Sequence, residues 1–146
     1  MMPGYNTHRI FNYTILIVVA ASFYIWGRLP IPSLASFIAF GAGYYLGTDF
    51  ITPDLDIEST AIKRWGPLKI LWLPYKWIFL HGQSSHNIVY GAVVRILYVS
   101  LIILGIYYLL FGSLPSGTLF SSMYIYIFII GIILANAFHV LLDILF

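Results

Sequence analysis

Long apolar runs, separated by short polar or helix-breaking stretches, set the plan of this chain. The first run covers residues 10–27 and is bounded by Arg9 and Arg28. The second covers residues 31–48 and is opened by Pro30 and Pro32. From Ile96 to Leu142 there is no Asp, Glu, Lys or Arg. That stretch is too long for one membrane span and is broken at Gly112-Ser113-Leu114-Pro115-Ser116-Gly117, a turn rich in helix breakers. Spans over residues 86–111 and 119–145 follow. Each of the four runs is near the roughly 20 residues that cross a bilayer. The pattern predicts an all-α integral membrane bundle of four transmembrane helices, one domain over residues 1–146. The first run exceeds the ~7–15 residues of a signal-peptide core and no A-x-A site closes it, so it is expected to stay as a helix.

Between the second and third runs, residues 61–80 read AIKRWGPLKILWLPYKWIFL. Trp65, Trp72 and Trp77 alternate with basic residues, and Pro67 and Pro74 cut the segment into short pieces. Aromatic rings beside basic side chains favour the headgroup level of a membrane. The segment is expected to be interfacial or re-entrant, serving as an anchor or as a platform for a lipid headgroup.

Composition agrees with a bilayer environment. Apolar residues make up 61% of the chain and charged residues 8%, where soluble domains carry about 25% charged. A net charge of +2 is too small to argue for nucleic acid. The chain has no Cys, which excludes disulfides and thiolate metal sites. Arg9, Lys63, Arg64, Lys69 and Lys76 fall on one side of the predicted membrane and Arg28 on the other. The positive-inside rule then places the first side, with both termini, in the cytoplasm of a multi-pass cell-membrane protein.

All four histidines and all five carboxylates lie on that same side. His8 precedes the first run. Asp49, Asp54, Asp56 and Glu58 follow the second. His81 and His86 precede the third. His139 and Asp143 close the fourth. Such one-sided clustering is what a metal site at a membrane surface requires. His139 and Asp143 are spaced i,i+4, which puts them on one helix face about 5–6 Å apart. They suit a shared metal or a simple hydrogen-bonded pair. Asp54 and Asp56 alternate after Pro53, and two adjacent carboxylates repel unless a cation lies between them. His86 would sit in the first turn of the third helix, N-capped by Ser84 or Ser85. Arg95 lies roughly 13 Å into that helix at 1.5 Å per residue. An Arg at that depth is costly and is a functional candidate. It suits binding of a substrate phosphate, pairing with a site carboxylate, or snorkelling to the interface.

Imidazole and carboxylate donors without sulfur suit Zn foremost, then Mn, Fe or Co. The number of candidates, His8, Asp54, Asp56, His81, His86, His139 and Asp143, exceeds one tetrahedral site, so one or two ions are expected. A bound divalent metal lowers the pKa of its water toward ~7, which makes hydrolysis the reaction class that follows most directly.

An ordered set of motifs carries a family resemblance along almost the whole chain. It comprises Thr7-His8, Pro53-Asp54-Leu55-Asp56, Lys63-Arg64-Trp65-Gly66-Pro67-Leu68, Trp72-Leu73-Pro74-Tyr75, His81 with Ser85-His86, Arg95-Ile96-Leu97-Tyr98, and His139-x-x-x-Asp143. In these the chain resembles metal-binding membrane proteins related to the YdjM-like membrane-bound metal-dependent hydrolases. The resemblance implies that the seven His and Asp candidates bind metal. Gly82 stands where family members often carry Arg, and Asn87 where a Gly usually follows the Ser-His pair.

Together these features predict metal-dependent hydrolysis of a phosphoester or ester of a membrane lipid at the cytoplasmic face. His81, Asp56 and Arg95 are the candidate catalytic groups. Membrane lipids are the expected partners. The alternative is a non-catalytic, metal-stabilised accessory subunit bound to other protein subunits of a membrane complex.

Overall fold

The computed structural model describes residues 4–25, 34–79, 87–117 and 121–146. Among them the protein is all-α. The long helices are α1 (Tyr5–Ile25), α2 (Leu34–Asp49), α5 (Tyr90–Phe111) and α6 (Met123–Leu145). Between α2 and α5 lie a 3-10 turn (Pro53–Asp56), α3 (Thr60–Arg64), a 3-10 stretch (Gly66–Trp72) and α4 (Leu73–Ile78).

Among the described residues two helices, α5 with 22 residues and α6 with 23, are long and apolar enough to cross a membrane. The other two predicted spans form helices but do not meet that standard. α2 has 16 residues, about 24 Å at 1.5 Å per residue, against a hydrocarbon core of about 30 Å. α1 starts five residues before the first apolar run, so its opening turns include His8, Arg9, Asn12 and Tyr13. Residues 26–33, which hold the predicted ends of both spans, lie outside the described residues.

α2 and α6 form the closest pair in the bundle. Glycines allow the approach. A Cβ built on Gly43 would stand 1.9 Å from the Phe128 carbonyl oxygen, and one on Gly131 would stand 2.4 Å from that of Phe40. Gly47 faces Ile132 and Ala135 in the same way. Small residues four apart on both helices are the packing that membrane helices use in place of a hydrophobic driving force. By contrast, only Gly91, Ala92 and Arg95 of α5 are buried. Its later turns expose Leu97, Leu101, Leu109 and Leu110.

The segment between α2 and α5 is broken into short pieces, as its prolines predict. Thr52 caps the 3-10 turn and Ser59 caps α3. Gly66 has φ +54° at the corner before Pro67, a conformation that favours glycine. The three Trp do not share one environment. Trp72 is 1% exposed and packs with Leu55, Ala61, Ile62 and Tyr75 in a core of its own. Trp65 stacks edge-on against Trp72 and donates to the Phe50 carbonyl at 3.0 Å. Trp77 is 79% exposed, beside exposed Leu73 and Ile78. Headgroup affinity therefore suits Trp77, whereas Trp72 turns inward because it fills a folded aromatic cluster. Burial pushes the Tyr75 hydroxyl of that cluster above its ordinary pKa.

Ser84 and Ser85, the predicted caps of the third long helix, lie outside the described residues. Just before α5, Asn87 Oδ1 accepts from the amides of Val89 at 3.2 Å and Tyr90 at 2.9 Å. Gly112, with φ +69°, ends α5.

Candidate metal centre

The first turn of α1 and the last two turns of α6 meet at one end of the bundle. There His8, His139 and Asp143 each offer a donor atom within 4.8 Å of the other two. His8 Nε2 lies 3.0 Å from Asp143 Oδ1, and His139 Nε2 lies 3.5 Å from Asp143 Oδ2. The two imidazoles stack face to face, with centroids 3.7 Å apart and planes 6° apart. The 3-10 turn adds Asp54, whose Oδ1 is 3.6 Å from His139 Nε2. Both histidines are 3% exposed.

The donor set fits a divalent transition metal. Two imidazoles and a carboxylate are the ligands such ions take, at about 2.0–2.2 Å from the ion. Donors about 3–3.5 Å from one another suit that bond length. A buried His-Asp cluster drawn from opposite ends of the chain would also cross-link α1 to α6 when it holds an ion.

The floor beneath the cluster is polar and well connected. One helical turn deeper, Asn12 donates to the Ala135 carbonyl at 3.0 Å and to the Thr48 hydroxyl at 3.2 Å. Tyr44 donates to the Asn12 carbonyl at 3.1 Å. These bonds hold α1, α2 and α6 in register, which fixes where His8 and His139 meet.

The remaining candidates have different surroundings. His81 and His86 lie outside the described residues. Asp56 is buried on the 3-10 turn, outside the three-residue cluster, and its charge opposes that of Arg95 at the Tyr75 hydroxyl. Arg95 does not snorkel. It is fully buried, and its Nη2 donates to Asn136 Oδ1 at 2.7 Å and its Nη1 to the Tyr75 hydroxyl at 3.5 Å. Acceptors on α4 and α6 hold the guanidinium inside, so it links three elements near the site.

Asp49 is a second hub. It is fully buried and accepts from the hydroxyls of Tyr5 at 2.6 Å and Tyr13 at 2.7 Å. Arg9 and Arg64 stand 3.0 Å and 3.2 Å from its Oδ1. The sequence placed Asp49 among the carboxylates at this end, but it did not identify these four neighbours. Nor did it single out Asn12 and Asn136, although an Asn within an apolar run is a legible signal. Lys76 pairs with Glu58 at 2.5 Å and holds that carboxyl below its usual range.

Comparison with known proteins agrees with this chemistry. An uncharacterized protein of Aquifex aeolicus (strain VF5) is 44% identical over 64 residues, which is 42% of this chain and 45% of the relative. The matched region thus spans less than half of that relative. No solved structure matches the chain. Residues 3–146 match the family described as "Uncharacterized metal-binding protein (DUF2227)", and the chain belongs to that family.

Proposed function

We propose that the protein is an integral membrane protein of four spans that holds a divalent metal, Zn foremost and otherwise Mn, Fe or Co, at the cytoplasmic end of its bundle. One observation carries the reading: His8 of α1 and His139 and Asp143 of α6 come together in a buried cluster with Asp54 beside them. These residues would hold the ion, with His81 and His86 as further ligands for it or for a second one. The four-span arrangement draws support from the matching positions of α1, α2, α5 and α6. The cytoplasmic placement draws support from the basic residues gathered at the metal end.

The activity we propose is that of a hydrolase related to the YdjM-like enzymes, acting on a phosphoester or ester of a membrane lipid. A divalent metal supplies Lewis acidity toward the ester and activates water near neutral pH. The chain's own contribution is placement. Asn12 and the α2–α6 packing fix the ligands, and exposed Trp77 sets the segment from residue 66 to residue 78 against the headgroups. Arg95, held by Tyr75 and Asn136, lends positive charge beside Asp56. The accessory-subunit reading is favoured by a different observation: both histidines are 3% exposed, which suits a closed, structural metal.

A screen separates the two. Purified protein supplied with Zn, Mn, Co or Fe is incubated with phosphoester and ester lipids. The hydrolase reading expects metal-dependent turnover that Asp54→Asn lowers. No turnover by fully metal-loaded protein would leave the accessory subunit as the reading.

A further inference from the structure

Two guanidiniums from separate elements converge on one buried oxygen. Arg9 Nε and Arg64 Nη1 lie 3.0 Å and 3.2 Å from Oδ1 of Asp49. Two positive charges thus share a single carboxylate to which Tyr5 and Tyr13 also donate their hydroxyls. The carboxylate has no exposed surface, but the Arg9 and Arg64 side chains are 41% and 29% exposed. Each guanidinium also lies over an aromatic ring, Arg9 at 5.6 Å from the centre of Tyr13 and Arg64 at 5.2 Å from that of Tyr5. Such stacking helps fix the plane of the fork. Arg9 Nε is buried against Asp49 without hydrogen-bond alignment, so that contact is Coulombic. A guanidinium carries five N–H donors, and Asp49 cannot engage both sets.

We propose that Arg9 and Arg64 form a binding site for a phosphate group, with Asp49 as the positioning carboxylate. Paired, planar, partly exposed forks with one unit of uncompensated positive charge match phosphate oxygens in both geometry and charge. Arg9 directly follows His8, so the site flanks the metal centre. The phosphate comes from a lipid headgroup or from a soluble phosphoester. The lipid source rests on the membrane placement proposed above, whereas binding of a phosphate group does not.

The test uses the full-length protein in maltoside micelles. Inorganic phosphate is titrated calorimetrically. Retention of phosphatidylglycerol against diacylglycerol of the same chains is read by native mass spectrometry. Metal content and thermal unfolding are measured in parallel. The wild type should bind phosphate, prefer phosphatidylglycerol, or do both. Arg9→Gln and Arg64→Gln should each weaken that binding by roughly ten- to a hundredfold, the span of a lost charge-assisted bond. Preference for phosphatidylglycerol supports the lipid source. Phosphate binding without that preference supports the soluble one. No binding of either probe overturns the site, as does unchanged binding in Gln variants that keep the wild-type unfolding temperature. Should a Gln variant fail to fold, Arg9→Lys and Arg64→Lys decide. They keep the charge but lose the fork, so weaker binding supports the site and unchanged affinity in both overturns it. Intact phosphate binding by protein that holds no metal would count against the metal centre while supporting this site.

Discussion

The fully buried Asp49 carboxylate is surrounded by two tyrosine hydroxyls that donate to it and by two guanidiniums. Its removal should leave two tyrosine hydroxyls short of an acceptor and two guanidiniums without their shared counter-charge. Asp49→Ala is expected to lower stability by about 1–3 kcal/mol, since the arginines retain access to solvent that screens part of the loss. Thermal unfolding in detergent reads this, and a wild-type midpoint would show that the hub carries no net stabilisation. The two hubs were not equally legible in the sequence. His8, Asp54, His139 and Asp143 stood out because polar residues are scarce in this chain and alternating helices bring them to one end. The partners of Asp49 did not. Tyr5 and Tyr13 lie 44 and 36 residues away from it, and no periodicity connects them. Arg95 was conspicuous as an intramembrane charge, but its inward turn depends on Asn136 and Tyr75, which only the fold brings near.

Among the elements, the α2–α6 pair sets the distance between the turn bearing Asp54 and the helix bearing His139. Gly43→Ala should force the helices apart, because its new Cβ would meet the backbone of Phe128 and not a flexible side chain. A loss of about 1–3 kcal/mol is expected, with metal affinity falling alongside. Gly41→Ala is the control, since nothing lies within 4 Å of its Cβ position. Equal unfolding temperatures for the two variants would remove close packing from the account. Gly43 and Gly47 were present as a small-x-x-x-small pattern inside an apolar run, yet that pattern does not name its partner helix. The apolar runs revealed the helices themselves. Their ends were less legible, because α1 begins within a polar stretch whose burial depends on contacts with α2 and α6. The aromatic segment was readable as broken pieces. Its division into an inward Trp72 and an outward Trp77 followed from packing and not from composition.

For the whole molecule, the proposed arrangement puts the metal end in the cytoplasm. Single cysteines introduced at Ser59 and Ser116 into this Cys-free chain can be probed with an impermeant thiol reagent in intact cells. Ser116, in the turn between α5 and α6, should label from outside, and Ser59, between the 3-10 turn and α3, should not. Labelling at Ser59 would reverse the orientation. The same architecture makes the metal centre a joint between the two ends of the chain. His8 enters with α1, while His139 and Asp143 arrive with α6, so neither end can complete the site alone. Elemental analysis of purified wild type, His8→Ala and His139→Ala tests that dependence most directly. Stoichiometric divalent metal is expected in the wild type, with loss of most of it in each variant. A wild type without metal, or full occupancy in both variants, would contradict it.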